Sequence, residues 1–280
     1  MSPPFLMARM NIISCIRKPG SLIRIGVVLL GAVLVSAAGL FFSSVSIAEE
    51  VLIAHCLGGC PVGAANDNAV IVRAIYALSF NHHNLAADWV SYRVTESSIG
   101  VATNLSRLPV PDPYVPLTLE ETDYQDSVTI AQVERTLLVP LVSFAGTPYW
   151  NEVNYLTNMV PRNPELNRGP WYGLEWAVRN LASRTGELYV IAGPLYNTTN
   201  PHPSLATTKP HKVPDGFFKV IATADGEVTA FVFDQRLAFH VHHCERRASL
   251  AEIERMTGLD LFPQNPGWPV GNLDQQLGCF

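Results

Sequence analysis

The segment YLTNMVPRNPELNRGPWYGLE, which ends at Glu175, places the tightest limits on the fold of this chain. Its apolar first part predicts a strand over Val153–Met159 that breaks at Pro161. Its second part is rich in turn residues and predicts a helix that begins near Pro170, because proline at a first helical position loses no hydrogen bond. We therefore expect Asn167 at or just before the helix N-terminus, with Glu175 inside the helix.

Two interpretations of Asn167 and Glu175 follow from their spacing. Eight residues of straight helix rise roughly 12 Å, so the two side chains cannot both bind one ion directly on such a helix. If Asn167 precedes the helix and Glu175 acts through a water, the pair suits Mg²⁺, which keeps part of its hydration shell. Alternatively, Asn167 caps the helix and Glu175 pairs with Arg179 four residues later. Spacing alone favours the second interpretation.

The first 48 residues differ from the rest of the chain. They contain basic residues and no acidic residue, Ile25–Phe42 is uncharged and mostly apolar, and Ser46–Ala48 offers small residues for cleavage. This pattern predicts a signal peptide over residues 1–48. The alternative is an uncleaved membrane anchor, because the apolar run at 25–42 is borderline for spanning a bilayer. We expect one domain over 49–280 that is secreted or periplasmic, or membrane-anchored if residues 25–42 are retained.

The charge of the predicted domain limits how it can bind a polyanion. Residues 49–280 carry 15 Lys and Arg against 24 Asp and Glu, a net charge of −9. Proteins that bind nucleic acid through a large basic surface carry a net positive charge instead. Any site for a polyanion must be local and made by a metal ion and a few arginines, because the overall field repels such a ligand.

Four cysteines follow the predicted signal peptide, which itself contains Cys15. The four are Cys56, Cys60, Cys244 and Cys279. An even number in an exported chain predicts disulfides, and of the three possible pairings the local choice joins Cys56 to Cys60 and Cys244 to Cys279. A zinc site is the alternative, since His242 and His243 adjoin Cys244, but the pairs lack a matched C-x2-C partner.

Apolar runs separated by turn residues predict a sheet with short connections. The predicted strands are Ala69–Leu78, Ala87–Thr95, Glu187–Ala192, Phe217–Thr223 and Glu227–Asp234. The first two form a hairpin around the turn Asn81–Asn84. Helices are predicted over Trp171–Arg184 and over Leu250–Thr257, the second closed by Gly258.

The quoted segment resembles the signature of the DNA/RNA non-specific endonucleases, the ββα-metal nucleases. In that family the Asn of an L-N-x-G/N-x-W segment binds the catalytic Mg²⁺, the Glu eight residues later holds metal-bound water, and an Arg four residues further assists the phosphate. The resemblance assigns these roles to Asn167, Glu175 and Arg179.

The same resemblance implies an α+β fold with a central, mostly antiparallel sheet, flanking helices and a ββα-metal element at Leu137–Arg184. It implies DNA and RNA as substrate or ligand, and it allows a homodimer, as in some relatives. It also supports the local disulfide pairing, because secreted members carry a C-x3-C-P start and a last cysteine close to the C-terminus.

One motif departs from the family. Glu134-Arg135-Thr136-Leu137 occupies the place of the D-R-G-H motif, and Leu137 stands 30 residues before Asn167, as the family's catalytic His does before its metal-binding Asn. That His is the base that deprotonates the attacking water, and leucine cannot accept a proton. Losing a general base typically costs about 10²–10⁴-fold in rate. Arg135, which is retained, is expected to contact the phosphate.

We therefore expect an exported Mg²⁺-dependent endonuclease that hydrolyses phosphodiester bonds of DNA and RNA with strongly reduced activity. The alternatives are an inactive pseudonuclease that keeps metal or nucleic-acid binding, and a partner-binding protein of the cell envelope. The family's phosphate-stabilising loop arginine falls on Thr103, with Arg107 four residues away. His211, in a segment that resembles a structural part of the family, is a weak candidate for a replacement base. Of the remaining histidines, those weighed for a metal or catalytic role lack a supporting motif: His82, His83, His240, His242 and His243.

Overall fold

The computed structural model describes residues 52–196 and 199–280, so the predicted signal peptide over 1–48 lies outside the described residues. Within the described ranges, no helix combines the length and the apolar character needed to cross a membrane. The strands are β1 (Ala69–Val72), β2 (Tyr76–Asn81), β3 (Ala86–Thr95), β4 (Glu134–Leu137), β5 (Met159–Arg162), β6 (Glu187–Leu195), β7 (Gly216–Ala222), β8 (Val228–Asp234) and β9 (Arg247–Ala248). The α-helices are α1 (Ser127–Ile130), α2 (Pro164–Leu166), α3 (Tyr172–Thr185) and α4 (Leu250–Thr257).

An antiparallel sheet of seven strands, in the order β1-β2-β3-β6-β7-β8-β9, forms the centre of the fold. The remaining strands, β4 and β5, form a separate antiparallel pair that leads into the helical segment containing α3. The predicted α+β class, the central antiparallel sheet and the ββα element are confirmed.

Neighbouring residues of β7 face opposite sides of the sheet, as the pleat requires. Phe217 and Ile221 belong to the core that also contains the apolar face of α3, whereas Phe218 and Val220 belong to a second core with Ile253 of α4. Lys219 lies two residues after Phe217, so its side chain faces the same side of the sheet, toward α3. This lysine is almost fully buried.

The predicted strand Ala69–Leu78 is wrong as a single element, because it divides into β1 and β2 at a turn. Arg73 at the turn forms an ion pair of 2.6 Å with the buried carboxylate of Asp112, and its guanidinium lies 4.0 Å over the Tyr155 ring. These tertiary contacts outweigh the β propensity of the apolar run. The predicted hairpin with the following strand is confirmed as β2–β3.

The predicted strand Val153–Met159 is also wrong. The chain forms 3₁₀ turns at Trp150–Asn154 and Leu156–Asn158, and β5 then runs through Pro161 instead of breaking there. The buried Asn158 carboxamide accepts a hydrogen bond from Val139 N (2.8 Å) and donates to Val139 O (3.1 Å) and Val153 O (2.8 Å). These bonds satisfy the backbone groups without strand pairing. Pro161 is tolerated in β5 because both strands of a two-stranded sheet are edge strands.

The helix after β5 begins six residues earlier than predicted. Pro164 is its first residue, and Asn163 is the cap, because Asn163 Oδ1 accepts a hydrogen bond of 2.8 Å from Glu165 N. A wider turn at Asn167–Trp171, broken at Gly169 (φ −95°, ψ −112°), joins α2 to α3. The interpretation of Asn167 as the helix cap is therefore wrong. Helix α4 has the predicted bounds and ends at Gly258, whose φ is 73°.

Candidate active site

The five residues at the family's catalytic and metal-binding positions line one cavity of about 510 Å³. The cavity lies between the β4 strand with its following turn and the first two turns of α3. Its lining consists of Arg135, Thr136, Leu137, Pro140, Leu141, Val142, Asn167, Arg168, Tyr172, Glu175 and Arg179. The backbone is non-helical at Gly169, so Asn167 and Glu175 do not lie on one straight helix.

The Asn167 side chain bridges a cation and an anion. Its Oδ1 accepts a hydrogen bond of 3.1 Å from Arg162 Nη1, and its Nδ2 donates a bond of 3.3 Å to Glu134 Oε1. Arg162 Nη1 also donates to the carbonyl oxygen of Leu137 at 3.2 Å. Arg162 thus ties the β4 strand to Asn167 and fixes the orientation of the carboxamide.

Sequence reasoning missed Arg162, which is fully buried. Its guanidinium lies 3.9 Å from the Trp171 ring centroid and 4.4 Å from that of Phe217. Burial lowers the pKa of Arg162 to about 9, with the nearby carboxylates of Glu175 and Glu134 opposing that shift. The group therefore stays charged at neutral pH. An arginine in the apolar run MVPR is the one sequence signal that could have indicated it.

The Glu175 carboxylate, which is largely buried, lies between two cations. Its Oε1 is 3.2 Å from Lys219 Nζ, and its Oε2 is 4.0 Å from Arg179 Nη1. The predicted pairing with Arg179 is present but long, and the closer partner is a lysine that the sequence analysis did not consider. Desolvation lowers the pKa of Lys219 to about 8, so the ammonium remains protonated at neutral pH.

Two further ion pairs lie at the mouth of the cavity. Arg135 pairs with the exposed carboxylate of Glu121, and Arg168 Nη2 lies 2.5 Å from Glu134 Oε2. Exposed pairs of this kind contribute little to stability, typically about 0–1 kcal/mol. The Arg135 guanidinium is therefore available to an incoming anion at small cost.

Other sequence candidates lie elsewhere. Neither Thr103 nor Arg107 lines the cavity, and Arg107 Nη2 donates to Ala102 O at 3.2 Å. His211 accepts a hydrogen bond from Leu205 N (3.0 Å) and donates to Lys209 O (2.8 Å), so both ring nitrogens are engaged. As a replacement base, His211 is therefore excluded by its contacts. His83 pairs on the surface with Asp67 at 2.9 Å.

Both predicted disulfides are confirmed: Cys56 is bonded to Cys60, and Cys244 to Cys279. The ligand atoms of His242, His243 and Cys244 lie within 4.8 Å of one another. Because the Cys244 sulfur is already bonded to Cys279, it is not a thiolate, and the zinc alternative is wrong for this arrangement.

The cavity lining was tested for its fit to the divalent metal that the resemblance implies. Asn167 offers a carboxamide oxygen with a second lone pair beyond the one that faces Arg162, and Glu175 adds a carboxylate. No histidine or cysteine is among the lining residues that the structure describes. Oxygen donors without nitrogen or sulfur suit a hard cation such as Mg²⁺. The residues present therefore fit the ion.

Comparisons with known proteins agree with this geometry. Residues 60–267 match the family model described as DNA/RNA non-specific endonuclease. The chain is 34% identical over 256 residues to a nuclease of Serratia marcescens, which covers 88% of this chain and 95% of that protein. It is 26% identical over 208 residues to the mitochondrial nuclease EXOG of Mus musculus, covering 68% and 55% of the two chains.

A solved structure gives the same result for the fold. The crystal structure titled "Crystal structure of the EndoG/EndoGI complex: Mechanism of EndoG inhibition" matches with a TM-score of 0.59 and 24% identity, over 70% of this chain and 86% of that chain. The family match covers most of the chain, and the Serratia relative extends over nearly its whole length. This protein is a member of the DNA/RNA non-specific endonuclease family.

Proposed function

We propose that this protein is a Mg²⁺-dependent endonuclease that hydrolyses DNA and RNA without strong sequence preference, at a strongly reduced rate. One observation carries the proposal: Arg135, Leu137, Asn167, Glu175 and Arg179 line a single cavity. In that cavity the groups for binding a cation and a phosphate are present, and leucine occupies the place of the family's base.

Asn167 Oδ1 is the group that would hold the metal ion, whose chemistry there is Lewis-acid stabilisation of the charge on the phosphate. Arg162 and Glu134 hold the Asn167 carboxamide in one orientation, through bonds of 3.1 and 3.3 Å. Glu175 would accept hydrogen bonds from water, and Lys219 Nζ, 3.2 Å from Oε1, holds its carboxylate in place.

Arg135 and Arg179 would bind the substrate phosphate. Guanidinium groups form charge-assisted hydrogen bonds to phosphate oxygens, often two at once. Arg179 is nearly buried and its guanidinium lies 4.0 Å from Glu175, so its position is fixed. Arg135 lies at the mouth, where phosphate would replace Glu121 as its partner.

Leu137 explains the reduced rate. Hydrolysis requires that the attacking water lose a proton, and the Leu137 side chain has no group that accepts one. No histidine lines the described part of the cavity, and Glu175 is engaged by Lys219 and Arg179. The absence of a general base corresponds to a loss of about 10²–10⁴-fold in rate.

An exported location is part of the proposal. Disulfides persist in oxidising compartments and are rare in the cytosol. The two disulfides, together with the signal-peptide pattern over residues 1–48, support a secreted or periplasmic protein.

A second candidate function is a pseudonuclease that binds nucleic acid without cutting it. Leu137 favours it, because Arg135, Asn167, Glu175 and Arg179 are kept in the cavity while the base is missing. The two candidates differ in turnover alone.

The test is cleavage of plasmid DNA and of a long RNA by the full chain with Mg²⁺, compared with EDTA and with Asn167→Ala. We expect slow cleavage that both treatments abolish, whereas Asn66→Ala, a matched control at an exposed asparagine that does not line the cavity, leaves the rate unchanged. Cleavage equal in the parent and in Asn167→Ala would contradict the proposal. Mg²⁺-dependent binding of nucleic acid without any cleavage would favour the pseudonuclease.

A further inference from the structure

A second cavity, of about 430 Å³, adjoins the candidate active-site cavity described above, which we call the catalytic cavity. Arg168 and Tyr172 line both, so the two cavities are adjacent at the first turn of α3. We call the second cavity the aromatic groove. Its walls are α3 on one side and the loop at residues 239–243 on the other.

Three large aromatic side chains are exposed in this groove. Tyr172 is 52% exposed, Trp176 is 59% exposed and Phe239 is 59% exposed. They come from two elements that are more than 60 residues apart in sequence, so their convergence is a product of the fold. Scattered exposed apolar residues are ordinary, but a cluster of exposed aromatic rings beside a catalytic cavity indicates a binding surface.

Close backbone packing fixes the groove's shape. A methyl group added at Gly169 would lie 2.3 Å from the carbonyl oxygen of Phe239, so the loop rests directly on the α2–α3 junction. The Cys244–Cys279 disulfide anchors the end of that loop to the C-terminal segment. His243, the residue before Cys244, is buried, and its Nε2 lies 3.3 Å from Leu277 O. The groove is therefore formed before any ligand arrives.

The charge of the groove differs from that of the chain. The formal net charge of the chain is −5, yet no acidic residue is among the described residues that line the groove. Its basic side chains are Arg168, whose largely exposed guanidinium also pairs with Glu134, and His240, His242 and His243. A polyanion meets no acidic lining residue here, whereas the net negative charge of the chain repels one elsewhere.

We propose that the aromatic groove binds unpaired bases of single-stranded DNA or RNA adjacent to the phosphate in the catalytic cavity. This inference rests on the proposed function for its substrate class, but not on turnover. Bases stack on exposed aromatic rings without sequence preference, because every base has a π-face. Bases within a duplex are already stacked on their neighbours and cannot enter, so the groove selects single strands.

The test is fluorescence anisotropy with a labelled 12-nucleotide oligo(dT) and with a 12-base-pair duplex, using the full chain in EDTA at low salt. We expect Trp176→Ala and Phe239→Ala each to weaken oligo(dT) binding roughly tenfold, and duplex binding much less. The matched control is Tyr149→Ala. Tyr149 has the same exposed fraction as Tyr172, 52%, and lines neither cavity. Equal thermal unfolding temperatures confirm that the variants are folded.

Several outcomes overturn the inference. It fails if the parent does not bind oligo(dT), if both groove variants bind like the control, or if single-strand and duplex binding fall equally. Loss of self-association in Trp176→Ala, with oligo(dT) binding intact, assigns the surface to a second copy of this chain instead. EDTA prevents metal-dependent cleavage, so the binding measurement does not depend on whether the protein cuts nucleic acid. A failure of the proposed catalytic activity can therefore be distinguished from a failure of this inference.

Discussion

The Lys219 ammonium lies 3.2 Å from Glu175 Oε1 and 3.8 Å over the Trp171 ring, beneath the floor of the catalytic cavity. The ammonium is almost fully excluded from solvent. A buried charge of this kind requires a partner, and Glu175 is the one that the fold provides. The pair connects the central sheet to α3 at the point where α3 contributes to the site.

Removing the lysine should destabilise the fold. Lys219→Met fills the same space but leaves the Glu175 carboxylate without its closest cation, and breaking a buried pair in this way costs about 3–5 kcal/mol. Urea unfolding of the parent and the variant measures the difference in free energy. The control is Lys219→Met combined with Glu175→Gln, which leaves no unpaired charge and is expected to recover part of the loss. A single variant as stable as the parent would show that the pair does not hold α3 in place.

The lowered pKa of Lys219 also predicts a pH dependence of stability. Desolvation lowers the pKa of Lys219 in the folded state to about 8, against 10.5 for a lysine in water. Between these two values the unfolded chain binds more protons than the folded protein, so this group's contribution to stability rises with pH. We expect the free energy of unfolding of the parent, relative to Lys219→Met, to increase from pH 7 to pH 10. A difference that is flat or falls over this range would contradict the assigned pKa direction.

Two glycines near the site should respond oppositely to alanine. At Gly169 the added methyl group would meet Phe239 O at 2.3 Å, whereas at Gly173 the nearest atom is His243 Nδ1 at 3.5 Å, an ordinary contact. We expect Gly169→Ala to lower stability by roughly 1–3 kcal/mol through overpacking. Gly173→Ala should be neutral or stabilise by up to about 1 kcal/mol, since alanine favours a helix. Thermal unfolding of both variants tests this, and equal effects would contradict the close approach of the loop.

The two disulfides should differ in their contribution to stability. Cys244–Cys279 closes a separation of 35 residues and Cys56–Cys60 one of 4. The chain-entropy relation gives about 4 kcal/mol for the first and about 2 kcal/mol for the second. Replacing each pair by alanine and measuring urea unfolding tests the ranking. A larger loss from the Cys56–Cys60 replacement would mean that local contacts, not chain closure, determine the contribution.

The sequence predicted the elements whose signals are local. Helix α4 has its predicted bounds and ends at Gly258, β7 and β8 lie at the last two predicted strands, and the four cysteines pair as expected. The strand predicted over Val153–Met159 failed because the Asn158 side chain bonds to a backbone segment about twenty residues away. No local pattern reports a contact of that kind.

The site was predictable in its composition but not in its supporting residues. The family resemblance identified Asn167, Glu175 and Arg179, and these line one cavity. Arg162 and Lys219 were missed because each is a single charged residue in an apolar strand, and only the fold shows what it contacts. The aromatic groove was missed because Trp176 and Phe239 are distant in the chain.

The central claim is that Leu137 limits the rate in a site that keeps Arg135, Asn167, Glu175 and Arg179. The most direct measurement is plasmid cleavage with Mg²⁺ by the full-length Leu137→His variant, with and without Thr136→Gly to relieve crowding at the neighbouring residue. The account predicts a gain of about 10²–10⁴-fold over the parent, lost again when Asn167→Ala is added. Folded Leu137→His variants that cut no faster than the parent would contradict it.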